Sequence, residues 1–226
     1  MSSLRKYVKR FTAYFLIPLV QWHLRKERHY NYKGISISVL PGVFHPGFFY
    51  STKFILAYLV TLNLVNKSIL ELGCGSGLIS IVAAKAGANV TSSDLSHTAL
   101  ENTKQNAILN KVSLAIIHSD LFDNIPGTFD MIIINPPYYA KDANEEAMLA
   151  WYCGKNFEYF EKFFKQLKEH IHLNSEVIIV LTKGSDLSTI FGIAAKSGFS
   201  FELVEEKNVL FDEKDYLYKI RPSSSA

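Results

Sequence analysis

Cysteine is scarce in these 226 residues: Cys74 and Cys153 are the only two. Neither belongs to a Cys-x-x-Cys pair, and no His/Cys cluster has the spacing of metal ligands. A disulfide framework and a bound metal are therefore not expected, and a reducing, cytoplasmic setting fits the chain. Long apolar runs are missing as well. Phe11 to Trp22 is apolar apart from Thr12 and Gln21, but it falls short of the roughly 20 residues a membrane-spanning helix needs. The following Gln21-Trp22-His23-Leu24-Arg25-Lys26 lacks the small residues of a signal-peptide cleavage site. The stretch suits a helix laying its apolar face on a domain, kinked at Pro18, or one lying on a membrane surface. Repeats and low-complexity linkers are absent, and nothing calls for more than a monomer.

An excess of one charge sign is absent overall, with a formal net charge of +3, but present locally. Residues 1–33 hold eight Lys/Arg (Arg5, Lys6, Lys9, Arg10, Arg25, Lys26, Arg28, Lys33) against Glu27 alone; the rest holds sixteen against twenty acids. A basic patch of this kind suits phosphate backbones, an acidic partner or solvent. Residues 1–33 are read as a basic N-terminal helical extension, 34–222 as one large domain, and 223–226 as a disordered tail.

What is present is a regular alternation. Strands are expected at Ile35–Leu40, Ser68–Leu72, Asn89–Ser93, Ser113–His118, Phe129–Ile134 and Glu176–Leu181. Helices are expected at Tyr50–Leu64, Leu78–Ala86, from Ser96 as N-cap through Leu109, at Phe157–Ile171 and at Leu187–Ala195. Phe201–Val209 and Asp215–Ile220 close the chain as an antiparallel hairpin. Continuous apolar strands alternating with helices predict an α/β fold: a seven-stranded, mostly parallel, Rossmann-like sheet with helices on both faces. Ligands of such sheets sit beyond the carboxyl ends of the strands. Four successive strands here end in glycines, Asp94, Asp120 and Asn135, a series that a purely structural sheet has no use for.

Glu71-Leu72-Gly73-Cys74-Gly75-Ser76-Gly77 carries a strand into a glycine loop and then a helix. Glycines let the backbone pass close beneath a ligand. The dinucleotide fingerprint needs a glycine where Leu78 stands, and no Gly-Lys-Ser/Thr follows, so neither a pyrophosphate cradle nor a P-loop fits. Asp94 offers two acceptor oxygens to ribose hydroxyls. Asp120 suits the exocyclic amine of an adenine, with Leu95, Leu121 and Phe122 against the ring. Glu71 is placed to meet a cationic group near the loop, directly or through water.

These features resemble the class I S-adenosylmethionine-dependent methyltransferases over about Ile35 to Pro222. Glu71 to Gly77 looks like that family's first motif, and Asp94 like its ribose acid. The resemblance implies S-adenosyl-L-methionine as cofactor, bound by Glu71, Gly73, Cys74, Gly75, Gly77, Asp94, Leu95, Asp120, Leu121, Asn135 and Thr52, with no metal.

Asn135-Pro136-Pro137-Tyr138 is the expected catalytic corner. The prolines stop the strand ladder and hold the residues before them extended. The Asn135 side-chain oxygen and the Pro136 carbonyl are then two fixed acceptors for the two hydrogens of a planar NH2 group. Gripping both hydrogens favours pyramidalisation and turns the nitrogen lone pair to the methyl for in-line displacement, and Tyr138 stacks on the planar group. The tetrapeptide resembles that of amino-methyltransferases acting on glutamine amide or adenine N6; guanine N2 enzymes more often carry phenylalanine in place of Tyr138. In similar enzymes the stretch Gly42 to Thr52 covers the cofactor and lines the substrate mouth. Thr52 resembles a threonine of release-factor glutamine methyltransferases of the archaeal and eukaryotic kind, although Tyr50-Ser51 replaces the acid usual before it. His45 is read as a loop residue. The expected substrate is thus a protein glutamine, as in a translation release factor. RNA or DNA adenine is the alternative, and a non-catalytic cofactor-binding scaffold is the reading from another class.

Overall fold

A computed structural model of the chain describes residues 26–48, 50–142, 148–208 and 214–223. A two-stranded hairpin, β1 (Arg28–Tyr32) and β2 (Ile35–Val39), precedes helix α1 (Tyr50–Leu59). Then follow β3 (Ser68–Leu72), α2 (Leu78–Lys85), β4 (Asn89–Asp94), α3 (His97–Leu109), β5 (Ala115–His118), β6 (Phe129–Ile134), α4 (Glu158–Leu167), β7 (Ile171–Thr182), α5 (Leu187–Lys196), β8 (Phe199–Lys207) and β9 (Asp215–Pro222). The seven-stranded sheet has the order β5-β4-β3-β6-β7-β9-β8. Strands β5 to β7 run parallel, and β9 pairs antiparallel with both β7 and β8. The expected α/β sheet with its closing hairpin is what the chain forms.

Period-two alternation sorts the strand residues onto two apolar faces. Leu70, Leu72, Ile132, Ile134, Val177 and Ile179 face a core completed by Phe160, Phe163, Phe164 and Leu167 of α4 and by Ile190 and Ala194 of α5. Ile69, Met131, Ile133, Ile178 and Val180 face Phe54, Ile55 and Leu59 of α1 and Ile79 and Ile81 of α2. The spacing 160, 163, 164, 167 is one stripe of a helix, and burying each of those side chains contributes about 1.5–3 kcal/mol. This stripe roots α4 firmly beneath the sheet's carboxyl edge.

Two sequence expectations change at the ends of the chain. Arg28–Tyr32, placed in the helical extension, is a strand paired in register with β2. Its Tyr30 and Tyr32 lie on one face and pack on the second core, an alternation that a basic helix reading overlooks. Residues 1–25 of that extension lie outside the described residues. Ser223, placed in the disordered tail, donates its N–H to Gly198 O at 2.8 Å, and 224–226 lie outside the described residues.

The hairpin is tied down by buried amides. Asn106 Oδ1 accepts from Ser38 N–H (2.8 Å), and its Nδ2 donates to Ser38 O (2.7 Å) and Ser76 O (2.9 Å). Asn102 Oδ1 accepts from Leu40 N–H (3.1 Å), and its Nδ2 donates to Ser38 O (2.9 Å). Side chains of α3 thus satisfy the backbone groups of β2 that no strand pairs. They hold the 40–48 loop over the glycine loop. Among the described residues no helix is long and apolar enough to cross a membrane.

Candidate active site

A cavity of about 510 Å³ opens at the carboxyl edge of β3, β4 and β6, within the usual size range for a small-molecule site. Its wall includes every residue expected from the sequence to bind cofactor except Gly77, together with the whole Asn135–Tyr138 corner.

The glycine loop is built from three left-handed residues: Gly73 (φ 72°), Gly75 (φ 54°) and Gly77 (φ 75°). Gly73 and Cys74 both donate their N–H to Ser93 O at 2.9 Å, which pins the loop to β4. A Cβ on Gly73 would meet no atom within 4 Å, whereas one on Gly77 would lie 2.8 Å from Thr103 Cγ2. The first glycine thus leaves open space on the ligand side, and the last permits close packing of α2 against α3. Gly77 serves as the N-cap of α2 rather than as cavity wall. Cys74 is buried, and burial, reinforced by Asp94 and Glu71, holds its thiol well above the ordinary cysteine range. It is wall, not nucleophile.

The Asp94 carboxylate is oriented by two backbone donors, Gly75 N–H to Oδ2 (2.9 Å) and Ser96 N–H to Oδ1 (2.9 Å). A carboxylate held in one orientation in this way presents its oxygens to the cavity in a fixed direction. Leu95 and Leu121 line the cavity beside it. Leu121 holds φ 53°, an uncommon strain for a leucine, at the turn after β5. Phe122 departs from expectation. It turns into the core, stacked on His170 (4.4 Å) and on Phe163 (5.8 Å), because it is the next residue past that left-handed turn.

Glu71 is 4% exposed. Its Oε2 accepts from Ser80 N–H (2.8 Å) and from the Ser80 hydroxyl, and Ser92 donates to that hydroxyl at 2.6 Å. The acid therefore caps the first turn of α2 while also forming cavity wall; a direct partnership with Ser80 was not foreseen. Burial pushes its pKa from 4.5 to about 8, against the lowering by the Ser80 hydrogen bonds and with help from Asp94. The folded chain retains a proton that the unfolded chain releases near pH 4.5, so the stability contribution is complete below about 4.5 and is lost as pH rises through about 8. At constant ionic strength, Tm is expected to fall across that window, and Glu71→Gln, which cannot ionise, is expected to flatten the fall. Parallel slopes for the two proteins in a calorimetric pH series would contradict this.

The corner Asn135–Tyr138 directly follows β6. Asn135 is half-buried, and its side-chain amide makes no hydrogen bond among the described residues. The chain beyond the corner is held by a short bridge: Tyr139 N–H to Trp151 O (3.1 Å) and Cys153 N–H to Tyr139 O (3.0 Å). Above it, Phe44 of the 42–48 loop meets Trp151 at 5.5 Å between ring centres, and both rings line the cavity with Tyr138. Thr52, 5% exposed in the first turn of α1, completes that wall. His45 is packed between Tyr30 and Phe48 and accepts from Gly47 N–H (3.1 Å), a loop role as expected.

Several wall residues escaped sequence reasoning: Glu158, Tyr159 and Lys162 of α4, Thr182 at the end of β7 and Asp215 at the start of β9. Thr182 and Asp215 are register partners, a pairing with no local sequence signal. For α4 a signal did exist: Glu158 and Lys162 share a helical face opposite the phenylalanine stripe. Among the described residues no group of three or more His, Cys, Asp or Glu is placed to hold a metal.

The model of the methyltransferase small domain matches residues 34–195. A Methanocaldococcus jannaschii protein assigned to protein N5-glutamine methylation is 31% identical over 187 residues, covering 80% of this chain and 93% of that protein. The ribosomal RNA small subunit methyltransferase C of Yersinia pestis is 30% identical over 154 residues, 67% of this chain. The match spans 41% of that enzyme's length. Among solved structures, the E. cuniculi Mtq2-Trm112 complex, which methylates the termination factor eRF1, superposes with a TM-score of 0.62 at 20% identity, covering 80% of this chain and 99% of that one.

Proposed function

Because the chain belongs to the methyltransferase small domain family and is an S-adenosylmethionine-dependent methyltransferase, we propose that its acceptor is a glutamine side-chain amide of a protein, a translation factor of the release-factor type. The observation that carries this reading is the Asn135 amide, half-buried, without a hydrogen bond among the described residues, and on the same cavity as the glycine loop. The relative assigned to glutamine methylation is matched over 93% of its length, the RNA enzyme over 41%. The wall adds to this: among the described residues Lys162 is its one cation, beside the acids Glu71, Asp94, Asp120, Asp142, Glu158 and Asp215. A neutral amide enters such a wall more easily than a phosphate backbone does.

The residues fit the cofactor: an open space beneath Gly73, an oriented acceptor at Asp94 and an apolar slot at Leu95 and Leu121. S-adenosylmethionine, when bound, supplies an electrophilic methyl group on a sulfonium sulfur. Asp94 would hold the ribose hydroxyls as an acceptor, and Asp120 would accept from the base amine. Asn135 Oδ1 and Pro136 O accept the two N–H bonds of the acceptor amide, and Tyr138 packs on its plane. With both hydrogens held, the lone pair has one direction left, and a poor nucleophile is presented for in-line attack. As the new N–C bond forms, the methyl–sulfur bond would break with its electron pair left on sulfur; the alkylated nitrogen is acidic and releases one proton to water, so no strong base is required.

The test supplies methyl-labelled cofactor, purified protein and a cell extract. Label is expected in a protein band that protease removes and nuclease does not. Label lost to nuclease would replace the reading with an RNA methyltransferase; cofactor binding without demethylated product would leave a scaffold.

A further inference from the structure

Asp120 does not stand alone at the edge of the cavity. Its carboxylate is 49% exposed, and an aspartate so placed would sample several rotamers unless something held it. Lys162 Nζ donates to Asp120 Oδ2 at 2.6 Å and to Asp123 Oδ2 at 2.7 Å. One turn further along α4, Gln166 Nε2 donates to Asp123 Oδ1 at 2.7 Å. The i, i+4 pair thus grips the β5–β6 connection at two acids. Both Lys162 and Asp120 line the cavity, and α4 is immobilised from below by Phe160, Phe163 and Phe164.

One further fact separates this cluster from an ordinary surface ion pair. Gln166 Oε1 is, among the described residues, the buried side-chain acceptor without a partner. Leaving it so is unfavourable, and the arrangement tolerates it while Nε2 points at Asp123. Exposed Lys–Asp pairs also contribute little to stability, so the gain from the grip lies elsewhere than in the fold.

We propose that Lys162 is a positioning residue for recognition of the donor's base. It pins Oδ2 of Asp120, so that Oδ1 is presented in one direction to the exocyclic amine of adenine. This deepens the reading of the cavity given above and rests on Asp120 as the amine acceptor. A pinned carboxylate accepts from an amine and opposes a carbonyl oxygen in the same place, so the grip converts an acid at the rim into a filter for 6-amino purines.

The test is calorimetric binding to the full-length chain of two probes, S-adenosylhomocysteine and its 6-oxo counterpart S-inosylhomocysteine. The wild-type protein is expected to prefer the amino form. Lys162→Met is expected to bind S-adenosylhomocysteine about five-fold more weakly, the size of one exposed charged contact, with the preference between probes collapsing toward unity and Tm unmoved. Lys162→Arg is expected to restore the preference. If Lys162→Met keeps the wild-type preference, or weakens both probes equally, the proposal is overturned. Asp120→Ala separates the levels. A wild-type preference in that variant would remove the amine-acceptor assignment, and with it the proposal, while leaving the methyltransferase reading standing. Failure of the wild-type chain to bind S-adenosylhomocysteine would sink both.

Discussion

Asn135→Ala is expected to weaken S-adenosylhomocysteine binding by no more than a few-fold, as one of many wall residues, and to lose methyl transfer by about 10²–10³-fold, the usual consequence of removing one preorganised group that meets charge growing in the transition state. The two effects separate because of where the residue stands. The Asn135 side chain makes no hydrogen bond among the described residues, so its removal leaves no buried group stranded. The loop and acid proposed to seat the donor are held by other contacts, Ser93 O beneath Gly73 and Cys74, and Gly75 N–H on Asp94. Pro136 O remains after the substitution, but one acceptor orients one hydrogen and leaves the lone pair free to turn. Calorimetry with S-adenosylhomocysteine and single-turnover label transfer read the two quantities independently. Unchanged turnover would remove the role assigned to the corner.

The second large effect is expected at Gly73→Ala. Its φ of 72° costs an L-residue about 1–2 kcal/mol, which lowers Tm by several degrees in a chain of this size. No protein atom lies within 4 Å of the added methyl, so the fold accommodates it. The space it enters belongs to the cavity wall, and affinity for S-adenosylhomocysteine is expected to drop by about 10²-fold, as for overpacking a fitted site. Gly34→Ala is the internal control. It too is left-handed, at 85°, with nothing within 4 Å, but it lies in the β1–β2 turn away from the cavity. The same modest loss of Tm with unchanged affinity is expected there. Equal affinity losses in both variants would mean that backbone strain, not occupied ligand space, is responsible.

The chain's own order of residues was enough to reveal the α/β alternation, the glycine loop, the acids at successive strand ends and the double-proline corner. Each is a local signal. Positive φ demands glycine, a missing N–H ends a ladder, and period-two apolar strands between amphipathic helices admit few arrangements. Where the reading failed, the information was non-local. Arg28–Tyr32 is a strand because Ile35–Val39 lies beside it and α3 amides cover the other edge; taken alone, its basic and aromatic residues suit a helix equally well. Phe122 looked like a wall for the ligand, but the left-handed turn at Leu121 swings it into the phenylalanine core.

Tertiary structure alone decided the partners of the acids. Glu71 and Ser80 are nine residues apart and Asp120 and Lys162 forty-two, and nothing in the intervening sequence states that they meet. Those meetings depend on how α2 and α4 dock on a twisted sheet, which is settled by the packing of apolar side chains far from the site. Residue types and their spacing therefore identify the chemistry available at the sheet edge. Orientation, protonation and grip belong to the folded core, because burial and docking set which oxygen faces a donor and which faces the cavity.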